Sequence, residues 1–180
     1  MTRYLALLRA INVGGRNVKM EALRALFEGL GFRAVRTHLA SGNVLFDSQS
    51  SARPALQTRI EQALLQGLGY SVDCFLRDPQ EMLRCARLAA EAQARPGIVA
   101  LNVGFLHAPP DAAQLALILA ARSEIDDFEV HGREIYWGCA RRQSESRFQP
   151  GQLERKLKQP ITFRGVATTR QLADLLNTEP

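Results

Sequence analysis

Three observations predict an α+β fold of two similar halves, each running β-α-β-β-α-β. Apolar residues alternate between the two-residue period of strands and the 3.6-residue period of helices, and they do so twice in the same order. Each half holds a hairpin at a polar, glycine-containing turn, Ala40-Ser41-Gly42-Asn43 in the first and His131-Gly132-Arg133 in the second. At 180 residues the chain can bury roughly 70% of its unfolded surface, enough for one large or two small cores. The element order is the split βαβ arrangement of ferredoxin-like folds.

Tyr4 to Ile11 reads as a buried strand, and Met20, Leu23, Leu26, Phe27 and Leu30 then recur at helical spacing until Gly31 stops the helix. Val35-Arg36-Thr37-His38-Leu39 alternates as a strand, with Val44-Leu45-Phe46 as its hairpin partner. Leu56, Ile60, Ala63 and Leu64 place a helix ending near Gly67 or Gly69, and Val72 to Leu76 is a fourth strand. Asp78-Pro79-Gln80-Glu81 opens another helix with an N-cap aspartate, a first-position proline and an acidic third residue. In the second half, Val99 to Leu106 is a strand and Asp111 to Arg122 a helix. Asp127 to Val130 and Glu134 to Cys139 pair as a hairpin. Pro150 to Leu157 is a helix, Pro160 to Phe163 a short strand, and Thr168 or Thr169 caps a last helix through Leu172, Leu175 and Leu176. The halves match in element order and not in residues. This divides the chain into a first half at 1–77, a helical linker at 78–97 with the boundary near Ala90 to Gly97, and a second half at 98–180.

Hydrophobic residues make up 46% of the chain and charged residues 23%, a composition that folds rather than remaining disordered. Apolar runs such as Leu115 to Ala121 are far short of the ~20 residues of a membrane span. Tyr4 to Leu8 is too short for a signal-peptide core and is broken by Arg9. A cytoplasmic protein with no membrane partner is expected. Cys74, Cys85 and Cys139 form no C-x-x-C pair and lie far in sequence from the histidines, so they read as reduced, buried thiols. No metal site and no cofactor is expected.

The net charge is +5, and its distribution carries more than its size. Residues 1–43 hold seven basic side chains against two acidic ones, and residues 141–170 hold eight against two. The middle of the chain is acidic, with Glu124, Asp126, Asp127, Glu129 and Glu134 reading as a solvated hairpin edge. Two basic segments that met in the fold would form a cleft attracting an anion. For any single arginine outside a motif, the default reading remains a solvated surface side chain.

The turn Arg9-Ala10-Ile11-Asn12-Val13-Gly14-Gly15-Arg16-Asn17 marks a binding loop: a strand runs into paired glycines flanked by arginines and asparagines. Glycine lets backbone approach a ligand closely, while Arg and Asn supply donors for an anion. The competing account is a tight turn capped by Asn12 or Asn17. The candidate ligand-binding residues are Arg9, Asn12, Gly14, Gly15 and Arg16 in this loop, Arg36 on the hairpin, Ser41, Gly42 and Asn43 at its turn, and Lys156 and Arg164 in the second basic segment. No Walker, G-x-G-x-x-G, G-x-S-x-G or H-E-x-x-H motif occurs. His38, sharing a strand face with Arg36, is the one candidate general base, against the commoner structural role of a lone strand histidine, and Ser144-Glu145-Ser146 reads as a solvated loop, its alternative being a phosphate grip. Two function classes follow. The first is binding, with or without chemical conversion, of a small phosphorylated or carboxylated molecule in a basic cleft between the halves. The alternative is nucleic-acid binding on an open sheet face, for which Tyr4 and Phe46 are the only stacking candidates on the central hairpin strands.

Tyr4 to Gly15, Val35-Arg36-Thr37 with Ala40 to Phe46, and Leu153-Glu154-Arg155-Lys156 with Ile161-Thr162-Phe163-Arg164 resemble domain-of-unknown-function family 1697. Its motifs typically read LLRGINVGG, VRTYIQSGNVVF and EKxLG…TxRNWNT. The resemblance implies a mainly bacterial protein of two similar α+β halves and no known activity. Ala10 stands where the family has glycine, His38 where it has tyrosine, and Gly165-Val166 where it has Asn-Trp, so the last motif has lost an aromatic and an amide.

Overall fold

The computed structural model describes residues 1–15 and 17–178 and shows an α+β protein with two four-stranded antiparallel sheets. The first contains β1 (Thr2–Leu8), β2 (Arg33–His38), β3 (Asn43–Ser48) and β4 (Cys74–Arg77) in the order β2-β3-β1-β4, with α1 (Met20–Gly29) and α2 (Arg53–Leu68). After α3 (Pro79–Gln93) the plan repeats. The second sheet holds β5 (Ala100–Phe105), β6 (Asp126–His131), β7 (Glu134–Cys139) and β8 (Thr162–Gly165) in the order β6-β7-β5-β8, with α4 (Ala112–Leu119) and α5 (Pro150–Leu157). A last helix, α6 (Val166–Asn177), follows. The chain divides into two compact units, Met1–Met82 with Leu172–Pro180, and Leu83–Gln171.

Local chemistry explains most boundaries. Gly31 takes φ +78° and its N–H bonds Glu28 O at 2.8 Å, which stops α1 as the sequence predicts. Gly69, at φ +79°, ends α2 in the same manner. At the start of α3, Glu81 N–H donates to Asp78 Oδ1 at 2.8 Å and Asp78 N–H donates to Glu81 Oε2 at 2.9 Å, a reciprocal cap. Arg53 pairs with both carboxylates. Burial works against its charge, but Glu81 and Asp78 outweigh it and hold its pKa above the ordinary value. Several predicted boundaries move by two or three residues, two of them at positions with a clear cause. β1 stops at Leu8 instead of Ile11 because Ala10 turns the chain with φ +54°, sending Ile11 into the core at 1% exposure. α6 begins at Val166, ahead of the predicted threonine cap; Thr169 lies inside it, fully buried, and donates its hydroxyl to Gly165 O at 3.0 Å.

Tyr4, Ala6 and Leu8 share one core with Val44, Phe46, Leu23, Phe27 and Ile60 on the helix side of the first sheet. The alternate residues Leu5, Leu7, Leu45 and Phe75 are buried as well, none above 5% exposed. In the second sheet Ile135 and Trp137 pack with Ile118, Leu153 and Leu157, and Leu101, Val103, Phe105 and Tyr136 are also buried. Both faces of β1 and β3 are therefore covered, which corrects the expectation of an open sheet face on those strands, while the edge strand β2, which carries Arg36 and His38, has no buried residue. Tyr4 and Phe46, the expected stacking pair, sit in the core 2% and 1% exposed with their rings 5.8 Å apart. Among the described residues the central strands present no aromatic ring to solvent. The three cysteines are buried and in no disulfide, and burial above all pushes the Cys74 thiol well up, away from nucleophilic use.

Gly42 closes the first unit. At φ +77° its carbonyl accepts the Leu8 N–H at 2.8 Å, and a Cβ there would lie 2.5 Å from Ile11 Cγ2. Gly69 has a similar φ with open space around it. Gly42→Ala is expected to cost about 2 kcal/mol more than Gly69→Ala in urea denaturation, because only the first adds a clash to the backbone strain. Equal losses would mean that the turn yields freely.

Candidate functional site

The β1–α1 loop and the β2–β3 turn lie together at one end of the first sheet. Asn12 ties them: its Oδ1 accepts the Val18 N–H at 2.6 Å and its Nδ2 donates to Ala40 O at 2.7 Å. Asn43, fully buried, donates Nδ2 to His38 O at 2.7 Å and to Ser41 Oγ at 3.0 Å. Asn12, Ser41 and Asn43 thus use side-chain polar atoms to hold the loops themselves. Arg9 reaches Asp73 at 3.4 Å, each side chain more than a third exposed. Arg36 is exposed on β2 opposite Leu45. Gly14 and Gly15 are exposed, with φ of +61° and +84° and open space where side chains would stand. Arg16 lies outside the described residues.

The two basic segments fall in different units. In the second unit, Lys156 and Arg164 have opposite environments. Arg164 is 7% exposed on β8, donating Nη1 to Thr162 Oγ1 at 2.8 Å and to Phe163 O at 2.9 Å. Burial lowers its pKa to about 10. Lys156 is exposed on α5 and borders a groove of about 660 Å³.

Helix pairing makes this groove. Gln114, which caps α4 reciprocally with Asp111, donates its Nε2 to Leu157 O at 2.7 Å and so joins the start of α4 to the end of α5. The opposite ends of the helices are left apart, and the segments 120–126 and 141–149 run into the space between them. Leu117, Ala120, Ala121, Leu153 and Phe148 supply apolar lining, while Arg141, Arg147 and Lys156 supply cations. None of these three cations makes a hydrogen bond or ion pair with another described residue.

Asp126 fixes the wall. Only 4% exposed, it accepts the Trp137 indole N–H at 2.8 Å on Oδ1, and the Ser123 and Ser146 hydroxyls at 2.8 and 2.9 Å on Oδ2. This corrects the reading of residues 124–134 as uniformly solvated, and Ser146 is likewise half-buried. The Ser146 hydroxyl also accepts the Phe148 N–H at 2.9 Å, which sets the Phe148 ring edge-on to Trp137 and Phe128 with centroids 4.7 and 4.8 Å away. Sequence reading missed Asp126, Arg141, Arg147 and Phe148 as a group, because Asp126 lies on β6 and the other three in the connection between β7 and α5. The available signal was Ser123 three residues before Asp126, a hydroxyl–carboxylate turn spacing. Among the described residues no cluster could hold a metal ion and no helix is long and apolar enough to cross a membrane.

Asp126→Ala leaves an indole N–H and two hydroxyls without their acceptor and is expected to cost about 2–4 kcal/mol in denaturation, with a shifted Trp137 emission. Arg9→Ala and Arg36→Ala are expected to cost less than about 1 kcal/mol each, since both side chains are substantially exposed. A loss above about 2 kcal/mol in either would make that arginine a structural ion-pair partner.

No curated protein matches the sequence. Among solved structures, a conserved bacterial protein from Streptococcus pneumoniae is similar with a TM-score of 0.76 over 99% of both chains, at 23% identity, a likeness of fold alone. The model of a family described as Protein of unknown function (DUF1697) matches residues 1–136, which span the first sheet and reach into β7. The chain belongs to that family.

Proposed function

We propose that the protein binds a small anionic molecule, carboxylated or phosphorylated, in the groove of its second unit. One observation carries this reading: Arg141, Arg147 and Lys156 converge on a concave surface and are engaged by no described residue. Of the three carboxylates in the same lining, Asp126 is engaged by three donors, Glu145 accepts the Arg142 N–H at 3.2 Å and faces its guanidinium at 3.5 Å, and Glu124 is engaged by no described residue. Three unengaged cations thus stand against one unengaged carboxylate. A volume of about 660 Å³ lies within the usual range of small-molecule sites.

Binding is favoured over conversion by the orientation of the hydroxyls. Ser123 and Ser146 turn their protons to Asp126, while their oxygens accept backbone N–H groups of Asp126 and Phe148 at 3.0 and 2.9 Å. Neither hydroxyl is presented to a ligand as a nucleophile. Nucleic acid is disfavoured by the covered sheets, since single strands are held by successive exposed stacking rings.

Calorimetric titration with a panel of small carboxylates and phosphates tests the reading. Arg147→Ala and Lys156→Ala are each expected to weaken the best binder about fivefold to tenfold. Both side chains are exposed, so denaturation midpoints should hold. Single-stranded RNA binding that persists at physiological salt, with no small anion bound, would overturn the proposal.

A further inference from the structure

Resting on the groove as the ligand site, we infer that its ligand is an amphipathic monoanion: one carboxylate carried on an aromatic or branched apolar body. The lining holds three cations, Arg141, Arg147 and Lys156, against three carboxylates, Glu124, Asp126 and Glu145. Glu145 faces the Arg142 guanidinium at 3.5 Å, but Glu124 is engaged by no described residue and Asp126 has only neutral donors, so a polyphosphate brought to that surface would meet fixed negative charge beside the cations. A single carboxylate can lie among the cations with the acids beyond it, and a guanidinium offers it two parallel N–H donors.

The rest of the surface asks for apolar matter. Six of the fifteen lining residues are apolar, and Leu117 remains 37% exposed. Phe148 is held on two sides by the rings of Trp137 and Phe128, so it offers a fixed aromatic surface immediately after Arg147 in the chain. Covering such carbon with the ligand's own apolar body removes both from water. A bare phosphate leaves that part of the groove wet. The acidic residues serve as a filter here: they discriminate against a second negative charge while a neutral apolar body passes them.

Trp137 is the chain's only tryptophan. It is hydrogen-bonded to one lining residue, Asp126, and packed on another, Phe148, so its emission reports on the groove. The full-length protein is titrated with 3-phenylpropionate, 3-phenylpropanamide, inorganic phosphate and ATP, followed by Trp137 emission and calorimetry. 3-Phenylpropionate is expected to bind about tenfold or more tightly than the amide or phosphate. Lys156→Ala and Leu117→Asn are each expected to weaken it about fivefold or more with thermal midpoints preserved. Phosphate or ATP binding more tightly than 3-phenylpropionate, sensitive to Lys156→Ala and indifferent to Leu117→Asn, overturns the amphipathic class and leaves anion binding standing. Equal binding of the amide and the carboxylate, or binding of none of the four, overturns both readings.

Discussion

Both faces of β1 are closed to water, and most other features of this molecule follow from that. From Tyr4 to Leu8 every residue of β1 is apolar and buried; on β5 Leu101, Val103 and Phe105 are buried on one face, while the other carries buried Gly104 and half-buried Asn102. A strand buried on both sides cannot alternate apolar with polar residues, and charge is displaced to the sheet ends, the turns and the outer faces of helices. Two arginines break the rule in equivalent places. Arg77 pairs across from Leu5, three residues before Leu8, whose N–H bonds Gly42 O; Arg164 pairs across from Val103, three residues before Leu106, whose N–H bonds Arg133 O. Each donates Nη1 to the carbonyl of the preceding residue at 2.9 Å. The two halves therefore repeat a backbone closure and a buried cation as well as an element order.

With the sheets closed, binding chemistry has to be assembled at their margins, and Asp126 does this in the second unit. A buried carboxylate is tolerated when enough donors converge on it, and here Trp137 comes from β7, Ser123 from the turn ahead of β6, and Ser146 from the connection to α5. One side chain thus fixes three segments. Ser146 in turn places Phe148 through the backbone. Arg147, between Ser146 and Phe148, is consequently carried on a tethered segment although its own side chain is exposed.

The fold was legible because its signals are local. Strand and helix periods, Gly31 and Gly69 as stops, and the Asp78–Glu81 cap each act within a few residues. The loop juxtaposition in the first unit was legible too, since strands neighbouring in a ferredoxin-like order deliver their turns to one edge. What sequence could not show was burial of the second sheet face: Leu5 and Leu7 beside Tyr4 and Ala6 fit a covered strand, but an apolar run does not say what covers it. The groove was illegible because its parts are distant in sequence. Lys156 was singled out from a motif, whereas Arg147 and Asp126 become parts of one site only through contacts made across twenty residues or more. Arg164 shares a basic segment with Lys156 and sits in the opposite environment, because β8 turns it inward while α5 turns Lys156 out.

The two units also show how one plan yields a filled interior in one case and a groove in the other. In the first, α2 runs sixteen residues and α1 ten. Gly67 near the end of α2 meets Leu26 of α1 so closely that a Cβ would lie 2.5 Å from its Cδ2, and the space between the helices is taken up. In the second, α4 and α5 have eight residues each. They are joined at one end by Gln114 and Leu157 O, and the chain before α5 is an extended connection containing a short 3-10 turn at Gln143–Glu145. Eight residues span about 12 Å of helix against about 24 Å for sixteen, so the shorter pair cannot cover the same length of sheet, and segments 120–126 and 141–149 border what is left. Shortening a helix costs buried apolar area, and the second unit offsets part of that loss with the Trp137, Phe128 and Phe148 ring cluster and the hydrogen bonds to Asp126. The interactions that compensate for the missing helix turns are the same ones that shape the groove.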